Sequence, residues 1–350
     1  MRAFLISCLT MLLAFAVAGI VVWSVGENPW QVYKILFSSA FGSFSALGYT
    51  LYYATPLIFT GLSVALAFHA GLFNIGCEGQ LYIGAFCATL VGLWAPKETS
   101  FGWVWLTLGF GAAFLGGALW ALVPAVLKAY RGSHEVITTI MLNSIAAALT
   151  SYLTLYHFRD PATQTIETPQ ISPALETPAL SSFLPFPESA HANISFFVAL
   201  LVSIGVFVLL WKTKQGYELR ALGQNESAAR CSGISIRKTT IAVFVLCGGI
   251  AGLVGTNDIL GYAHRFREGF SPGYGFLGIA VALLGRNHPF GVVVAALLFG
   301  ALHNGSVALD LDTEHLSRDL IVVLQAIIIL AAASDAYLQR KLPRWRRKPA

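Results

Sequence analysis

The 350-residue chain is 56% hydrophobic and only 11% charged, with a mean hydropathy of +0.69. An ordinary soluble domain is about 25% charged, so this composition excludes a water-soluble globular fold and points to helices in a membrane. The net charge of +5 and pI near 9.0 do not indicate nucleic acid, because the basic residues gather at the ends of apolar runs as orientation signals do.

In chain order, the first apolar run covers 4–25, follows Arg2 and carries no charge. A secretory core is about 7–15 residues long, so this run reads as a retained first helix. The stretch 27–43 reads as an amphipathic helix at the external interface, with Trp30 and Tyr33 suited to lipid headgroups. Further spans are expected over 49–68, 77–95, 102–127, 135–155, 193–211, 239–261, 272–285, 289–305 and 319–338, ten in all. The span over 272–285 is too short for a hydrocarbon core of about 30 Å and is expected as a re-entrant or half-helix packed against protein. The result is an all-α polytopic membrane protein of about ten transmembrane segments, a single transmembrane domain over 1–338 with a basic tail over 339–350.

The loops set its orientation. Lys128 and Arg131, the basic residues of 212–238 and the tail QRKLPRWRRKPA fall on one side, the cytoplasm, together with both termini; Arg265 and Arg267 are the exception. The segment 156–192 lies opposite and holds six prolines, which exclude a continuous helix; it is either a solvated connector or a small cap. Five cysteines lie in predicted helices or a basic loop and suggest no disulfide framework. Pairs of small residues four apart (Gly248 and Gly252, Ala251 and Gly255, Ala112 and Gly116, Ala113 and Gly117) favour close helix packing.

Polar residues in such a setting are candidate functional groups, because a charge at mid-bilayer costs about 2.5–3.5 kcal/mol. Between Tyr49 and Ala95 the only ionisable side chains besides tyrosine and cysteine are His69 and Glu78. Glu78 stands in GLFNIGCEGQ (71–80) with Phe73, Asn74 and Gln80 among three glycines. The stretch is either a broken hairpin lining a pathway or a cytoplasmic turn in which Glu78 caps a helix N-terminus. Asn257 and Asp258 form a second group, with Asp258 either lining a pathway exit or, as the preferred alternative, pairing with Arg265 or His264. His69, Asn143 and Asn304 are weaker candidates. No metal-ligand spacing, P-loop, nucleophile elbow or kinase signature is present, so neither a metal, a bound cofactor nor a catalytic residue is expected.

On the cytoplasmic side, Asn225 suits an N-cap, Glu226 a first turn and Gly233 a C′ position. These bound a short helix over 226–232 that carries Ala228 and Ala229, either a docking knob for a partner or an ordinary loop helix.

Four ordered motifs, GLFNIGCEGQ (71–80), HEVITTIMLN (134–143), GYELRALGQNESAARCSGIS (216–235) and FSPGYGFLGIAVALLGRNHPFG (270–291), resemble the permease subunits of bacterial ABC importers of the branched-chain amino acid and simple-sugar type. The resemblance is nearest to the nucleoside-uptake branch, and to the larger of its two paired permeases. It implies a dimeric pore built with a second permease, a separate ABC ATPase that holds ATP and Mg, and an external substrate-binding protein or lipoprotein. It also implies alternating access in the bacterial cytoplasmic membrane. By position, Ala221, Leu222, Gly223, Asn225, Glu226, Ala228, Ala229 and Gly233 fall in one coupling helix over 221–233 that meets the ATPase. The glycine-rich motif 71–80 is moved towards the pathway. Cys77 and Asp258 stand where the family often has alanine and glutamate. A nucleoside is the first expected cargo, with simple sugars or branched-chain amino acids as alternatives. An ion-coupled secondary transporter, with Glu78 and Asp258 as its ion site, would leave the docking segment unexplained.

Overall fold

In the computed structural model, residues 2–312 are described apart from 99, 185, 188 and 189, together with short helical stretches within 322–331. The expected last span over 319–338 is therefore described only at those positions, and the tail over 339–350 lies outside the described residues. The helices, in order, are α1 (Arg2–Ser24), α2 (Pro29–Phe41), α3 (Phe44–His69), α4 (Cys77–Trp94), α5 (Gly102–Arg131), α6 (Glu135–His157) and α7 (Ser195–Lys212). They continue with α8 (Lys214–Gln224), α9 (Glu226–Cys231), α10 (Ile236–Gly252), α11 (Val254–Asp258), α12 (Tyr274–Leu284) and α13 (Pro289–Asp312). A single π-helical turn, Ile259–Ala263, follows α11.

Local chemistry sets many of these ends. Asn28 caps α2 by accepting from Trp30 N at 2.9 Å, with Pro29 in the first turn, and Ser43 caps α3 by accepting from Ala46 N at 3.0 Å. α5 stops at Gly132, whose φ of +66° allows its N–H to reach back to the last carbonyls. Lys128 and Glu135 then bridge the α5–α6 turn at 2.7 Å.

The count of ten spans is not reproduced. Among the described residues six helices are long and apolar enough to cross a membrane: α3, α5, α6, α7, α10 continued through the π turn, and α13. Of the other four expected spans, α12 has only 11 residues, and α4 opens on Glu78 and Gln80, which lower its hydropathy. The first, α1, bends by 118° into α2, taken over Leu12–Ser24 and Pro29–Phe41, and the last lies over 319–338. α2 is a separate helix as expected, but Tyr33 does not face outward. Its hydroxyl donates to the Phe15 carbonyl and its ring meets Phe15 edge-on, while Trp30 is exposed.

Burial separates the helices into two classes. The spanning windows of α3 and α10 are 83% and 78% buried inside the chain, against 39%, 22% and 28% for α5, α6 and α7. α3 and α10 therefore form the interior, while α6 and α7 leave most of their surface for lipid or another subunit. The interior is held by the small residues. A Cβ on Gly252 would strike the Ala113 carbonyl oxygen and lie 3.3 Å from Gly117 Cα, and one on Gly248 would strike Ala121 Cβ and the Gly117 carbonyl. α5 and α10 thus touch backbone to backbone, an approach that gains dispersion contacts without needing water to be expelled.

The segment between α6 and α7 is a packed cap, not a solvated connector. Thr168 N donates to Phe266 O at 3.0 Å, Ile171 N to His264 O at 2.8 Å and Thr177 N to Leu260 O at 2.9 Å, and Ile171, Leu175 and Leu180 are buried. Its prolines leave no α-helix, only the single 3-10 turns Pro173–Leu175 and Leu180–Ser182, so many of its backbone groups are satisfied by the segment that follows α11.

Substituting Gly252→Val should lower the thermal unfolding midpoint of the detergent-solubilised protein by several degrees, since overpacking costs about 1–3 kcal/mol. Gly111→Ala, on α5 with open space around it, is expected to leave the midpoint within error in the same size-exclusion thermostability assay.

Candidate functional site

A break at Leu253 separates α10 from α11, and α11 passes directly into the π turn Ile259–Ala263; π turns recur at functional sites. Asn257 and Asp258 sit in this stretch, both buried. Asn257 is locked into the frame: its amide donates to Tyr52 O at 3.3 Å, and Asn193 Nδ2 donates to its Oδ1 at 3.2 Å. Asp258 Oδ1 accepts from the Tyr52 hydroxyl at 2.9 Å. The expected pairing of Asp258 with Arg265 or His264 is not made. Arg265 instead binds Glu167 at 2.8 Å and His264 faces Glu176 at 3.9 Å, both acids belonging to the proline-rich cap. The cap takes both side chains because its backbone runs alongside them, with Glu167 bridged to Arg267 and Ile171 N donating to His264 O.

Asp258 lines a cavity of about 390 Å³ whose other walls include Tyr49, Tyr52, Tyr53, His191, Tyr262, Arg267, Tyr274 and His303. The rings are in mutual contact, with centroids 5.2 Å apart for Tyr52 and Tyr262, 4.4 Å for His191 and Tyr262 and 4.4 Å for Tyr53 and His303. Burial holds the His191 imidazole below its ordinary pKa, so at neutral pH it is an uncharged ring, with Nε2 3.3 Å from the Tyr49 hydroxyl. These aromatics were not among the sequence candidates. They come from α3, the cap, the π turn, α12 and α13, and none carries a local signal that it meets the others.

The glycine-rich motif lies at the other end of α3. Seventeen residues separate Tyr52 from His69 within that helix, about 25 Å at the helical rise. There the chain turns over 70–76 and enters α4. The turn is closed on itself: Asn74 and Gln80 exchange amide hydrogen bonds of 2.9 and 3.0 Å, and both are buried. Asn143 on α6 accepts from Gly79 N at 2.8 Å and donates to Ile75 O at 2.9 Å. Phe73 is half exposed and packs on Phe68. Among the pathway candidates only Asp258 lines the cavity; Phe73, Asn74, Glu78 and Gln80 do not. Asn304 is likewise spent on packing, donating to Ser39 O at 2.6 Å and Ala46 O at 3.0 Å.

Glu78 sits in the first turn of α4, and its carboxylate also serves a second helix. Its Oε2 accepts from Gly275 N at 2.7 Å, and the Ser271 hydroxyl bonds to the same carboxylate. Ser271 in turn accepts from Gly273 N and Tyr274 N at 3.2 and 3.1 Å. Glu78 therefore satisfies N–H groups at the start of the half-helix α12, where the helix dipole favours negative charge. A side chain at 275 would collide with the Glu78 backbone. Tyr274, next in line, is a wall of the cavity, so this link joins the 70–80 turn to the cavity wall.

The same turn meets the segment between α7 and α10. A Cβ on Gly223 would strike the His69 carbonyl and lie 2.8 Å from Gly71 N. His69 also binds the Asn287 carbonyl at 2.9 Å, in the tight α12–α13 turn where Arg286 and Asn287 both have positive φ. The single coupling helix expected over 221–233 is two. Ala221, Leu222 and Gly223 end α8, and Asn225, extended at φ −163° and ψ 110°, breaks the chain and caps α9 by accepting from Ala228 N at 3.0 Å. Glu226 pairs with Arg230 at 2.8 Å, and Gly233 takes φ +81° just beyond the helix. Ala229 and Leu222 are buried against the chain, whereas Gln224, Ser227, Ala228 and Cys231 are exposed.

An aromatic-walled cavity, open at Tyr262 and Arg267, thus lies at one end of the central helices and a capped short helix at the other. The chain belongs to the family described as branched-chain amino acid transport system / permease component, whose model matches residues 46–333. It is 36% identical to a glucose ABC transporter permease of Haloferax volcanii over 95% of this chain and 87% of that one. It is 34% identical to a guanosine ABC transporter permease of Bacillus subtilis, over 95% of this chain and 94% of that one. A nucleoside ABC transporter permease of Lactococcus lactis is 33% identical, over 98% and 94%. The protein is thus a multi-pass membrane transport component and not an enzyme.

Removing the acceptor with Glu78→Ala should destabilise α12 by about 0.5–2 kcal/mol, as for a lost N-cap. The solubilised protein is expected to melt earlier and the assembled importer to lose most of its uptake, while Glu78→Gln, which keeps an oxygen in place, stays near wild type in both measurements.

Proposed function

We propose that this chain is the membrane-spanning subunit of an ATP-driven importer that carries nucleosides, with the tyrosine- and histidine-walled cavity around Asp258 as its cargo compartment. The single observation that carries the cargo reading is the ring-walled cavity itself: a nucleobase offers a flat face to such walls, and aromatic stacking is worth about 1–3 kcal/mol per base. The guanosine and nucleoside permeases among its relatives agree with it. A second reading, a hexose, is favoured by the glucose permease relative.

In this reading Asn257 holds the cavity frame, Asp258 faces the cargo, and Glu78 acts on the cavity through α12. Phe73, Asn74 and Gln80 belong to the transmission turn. An ABC ATPase, which holds the ATP and Mg that this chain does not, docks on α8 and α9. Its movement reaches the cavity through Gly223, the 70–80 turn and Glu78, and alternating access follows. A second permease completes the pore against the sparsely buried α6 and α7, and an external binding protein delivers cargo above the cap. α8 and α9 and both termini are then cytoplasmic, in the bacterial cytoplasmic membrane, with 1–338 as one permease domain.

Ala228→Trp, on the exposed face of α9, is expected to reduce co-purification of the ATPase at least about tenfold, the loss of a well-packed contact, without moving the thermal midpoint of the permease alone. Nucleoside uptake by proteoliposomes that persists without the ATPase would overturn the importer reading. Competition between labelled guanosine and excess glucose in the complete system separates the two cargo readings.

A further inference from the structure

A second cavity, of about 480 Å³, opens between the C-terminal end of α5, the short helix α9 and the first turn of α10. Three cations line it: Lys128, Arg230 and Arg237. Two of them are paired, Lys128 with Glu135 at 2.7 Å and Arg230 with Glu226 at 2.8 Å. Arg237 is exposed and has no carboxylate partner among the described residues; its guanidinium carbon lies 5.3 Å from the centre of the Tyr130 ring. Three cations against two carboxylates leave one positive charge uncompensated. The paired Lys128 and Arg230 also keep spare N–H donors, since an ammonium has three and a guanidinium five. α10 begins in the same wall without a side-chain cap, so its first-turn N–H groups add to the attraction for an anion.

The position of the cavity narrows the anion. α5 ends at Arg131 and α10 starts at Ile236, and both helices are long and apolar enough to cross a membrane. A cavity between those two ends lies at the headgroup level of a bilayer. Along α5, leading up to it, Leu122, Val123, Val126 and Leu127 are exposed, an apolar strip for acyl chains, and the exposed Tyr130 stands where the strip meets the cavity. What fits is a singly charged phosphodiester that carries apolar chains. Basic pockets between spanning helices take such headgroups in general.

We propose that this cavity binds the headgroup of an anionic phospholipid, with the phosphate on Arg237 and on the spare donors of Lys128 and Arg230, and with acyl chains along the exposed strip of α5. A free phosphate ester shares the headgroup chemistry; the apolar strip beside the cavity points to the lipid. The bound headgroup fastens α9 to α5 and α10, the helix on which the importer reading docks the ATPase. Binding itself does not rest on that reading.

The test uses the full chain, delipidated in detergent, and reads lipid retained per protein by native mass spectrometry with phosphatidylglycerol or phosphatidylcholine at equal concentration. Phosphatidylglycerol is expected to bind at least about fivefold better, the scale of one charge near the membrane surface. Arg237→Gln should cut its binding about fivefold and leave phosphatidylcholine within about twofold, with Arg237→Lys losing less. Lys238, the next residue, is exposed but outside this cavity wall, so Lys238→Gln should stay within about twofold of wild type. Equal retention of the two lipids, or equal losses from Arg237→Gln and Lys238→Gln, overturns the proposal. Millimolar glycerol 3-phosphate is expected to leave the lipid in place; displacement by it assigns the cavity to a soluble phosphate and overturns the lipid source. Release of phosphatidylglycerol when the ATPase is added assigns the cavity to acidic side chains of that partner and overturns the proposal for the assembled importer. The importer reading is decided separately, by uptake.

Discussion

Every backbone group in this molecule that leaves helical geometry away from water has to find its partner inside the protein, because lipid supplies none. Two breaks carry that requirement. At the start of α12 the free N–H groups are met by Glu78 and Ser271. Around the π turn after α11 the groups in need are the carbonyls of Asn257, Leu260 and His264, which accept from the cap through Asn193 Nδ2, Thr177 N and Ile171 N. The polar residues that look anomalous in an apolar chain are largely the means by which broken helices are tolerated.

The same requirement explains why the two ends of the molecule are connected. α3 runs from the cavity wall at Tyr52 to the turn at His69, and α12 begins where Glu78 holds it and contributes Tyr274 to the cavity. Gly223 brings the α8–α9 segment against that turn with no side chain between the backbones. Close backbone contacts of this kind, at Gly223 and between Gly248, Gly252 and α5, have little slack. Displacing one element therefore presses on the next, so the α8–α9 segment and the cavity wall are linked through tightly packed contacts.

Much of the architecture could be read in the chain. The α9 cap, its first-turn acid and its terminal glycine were readable because capping is decided within a few residues. The shortness of α12 and the small-residue contacts of α5 and α10 were readable for similar local reasons. Against the ten expected spans stand six helices among the described residues, since Glu78 and Gln80 lower the hydropathy of α4, α12 is short, and 319–338 lies largely outside the described residues. The aromatic cavity was not readable: Tyr52, His191, Tyr262 and His303 are far apart in sequence, and nothing in their spacing announces that they meet.

Composition and hydropathy alone determined that this is a helical membrane protein, and four ordered motifs determined its permease kinship, since both depend on residue type and local order. Tertiary structure alone decided where the charges go. Glu78 was open between pathway and cap, and it became the cap of a helix nearly two hundred residues away. Asp258 was expected to pair with Arg265 or His264, and the cap took both of these while Tyr52 took the carboxylate. The reason is the same in both cases: a buried charge is governed by the donors that surround it in space, and chain position does not reveal them.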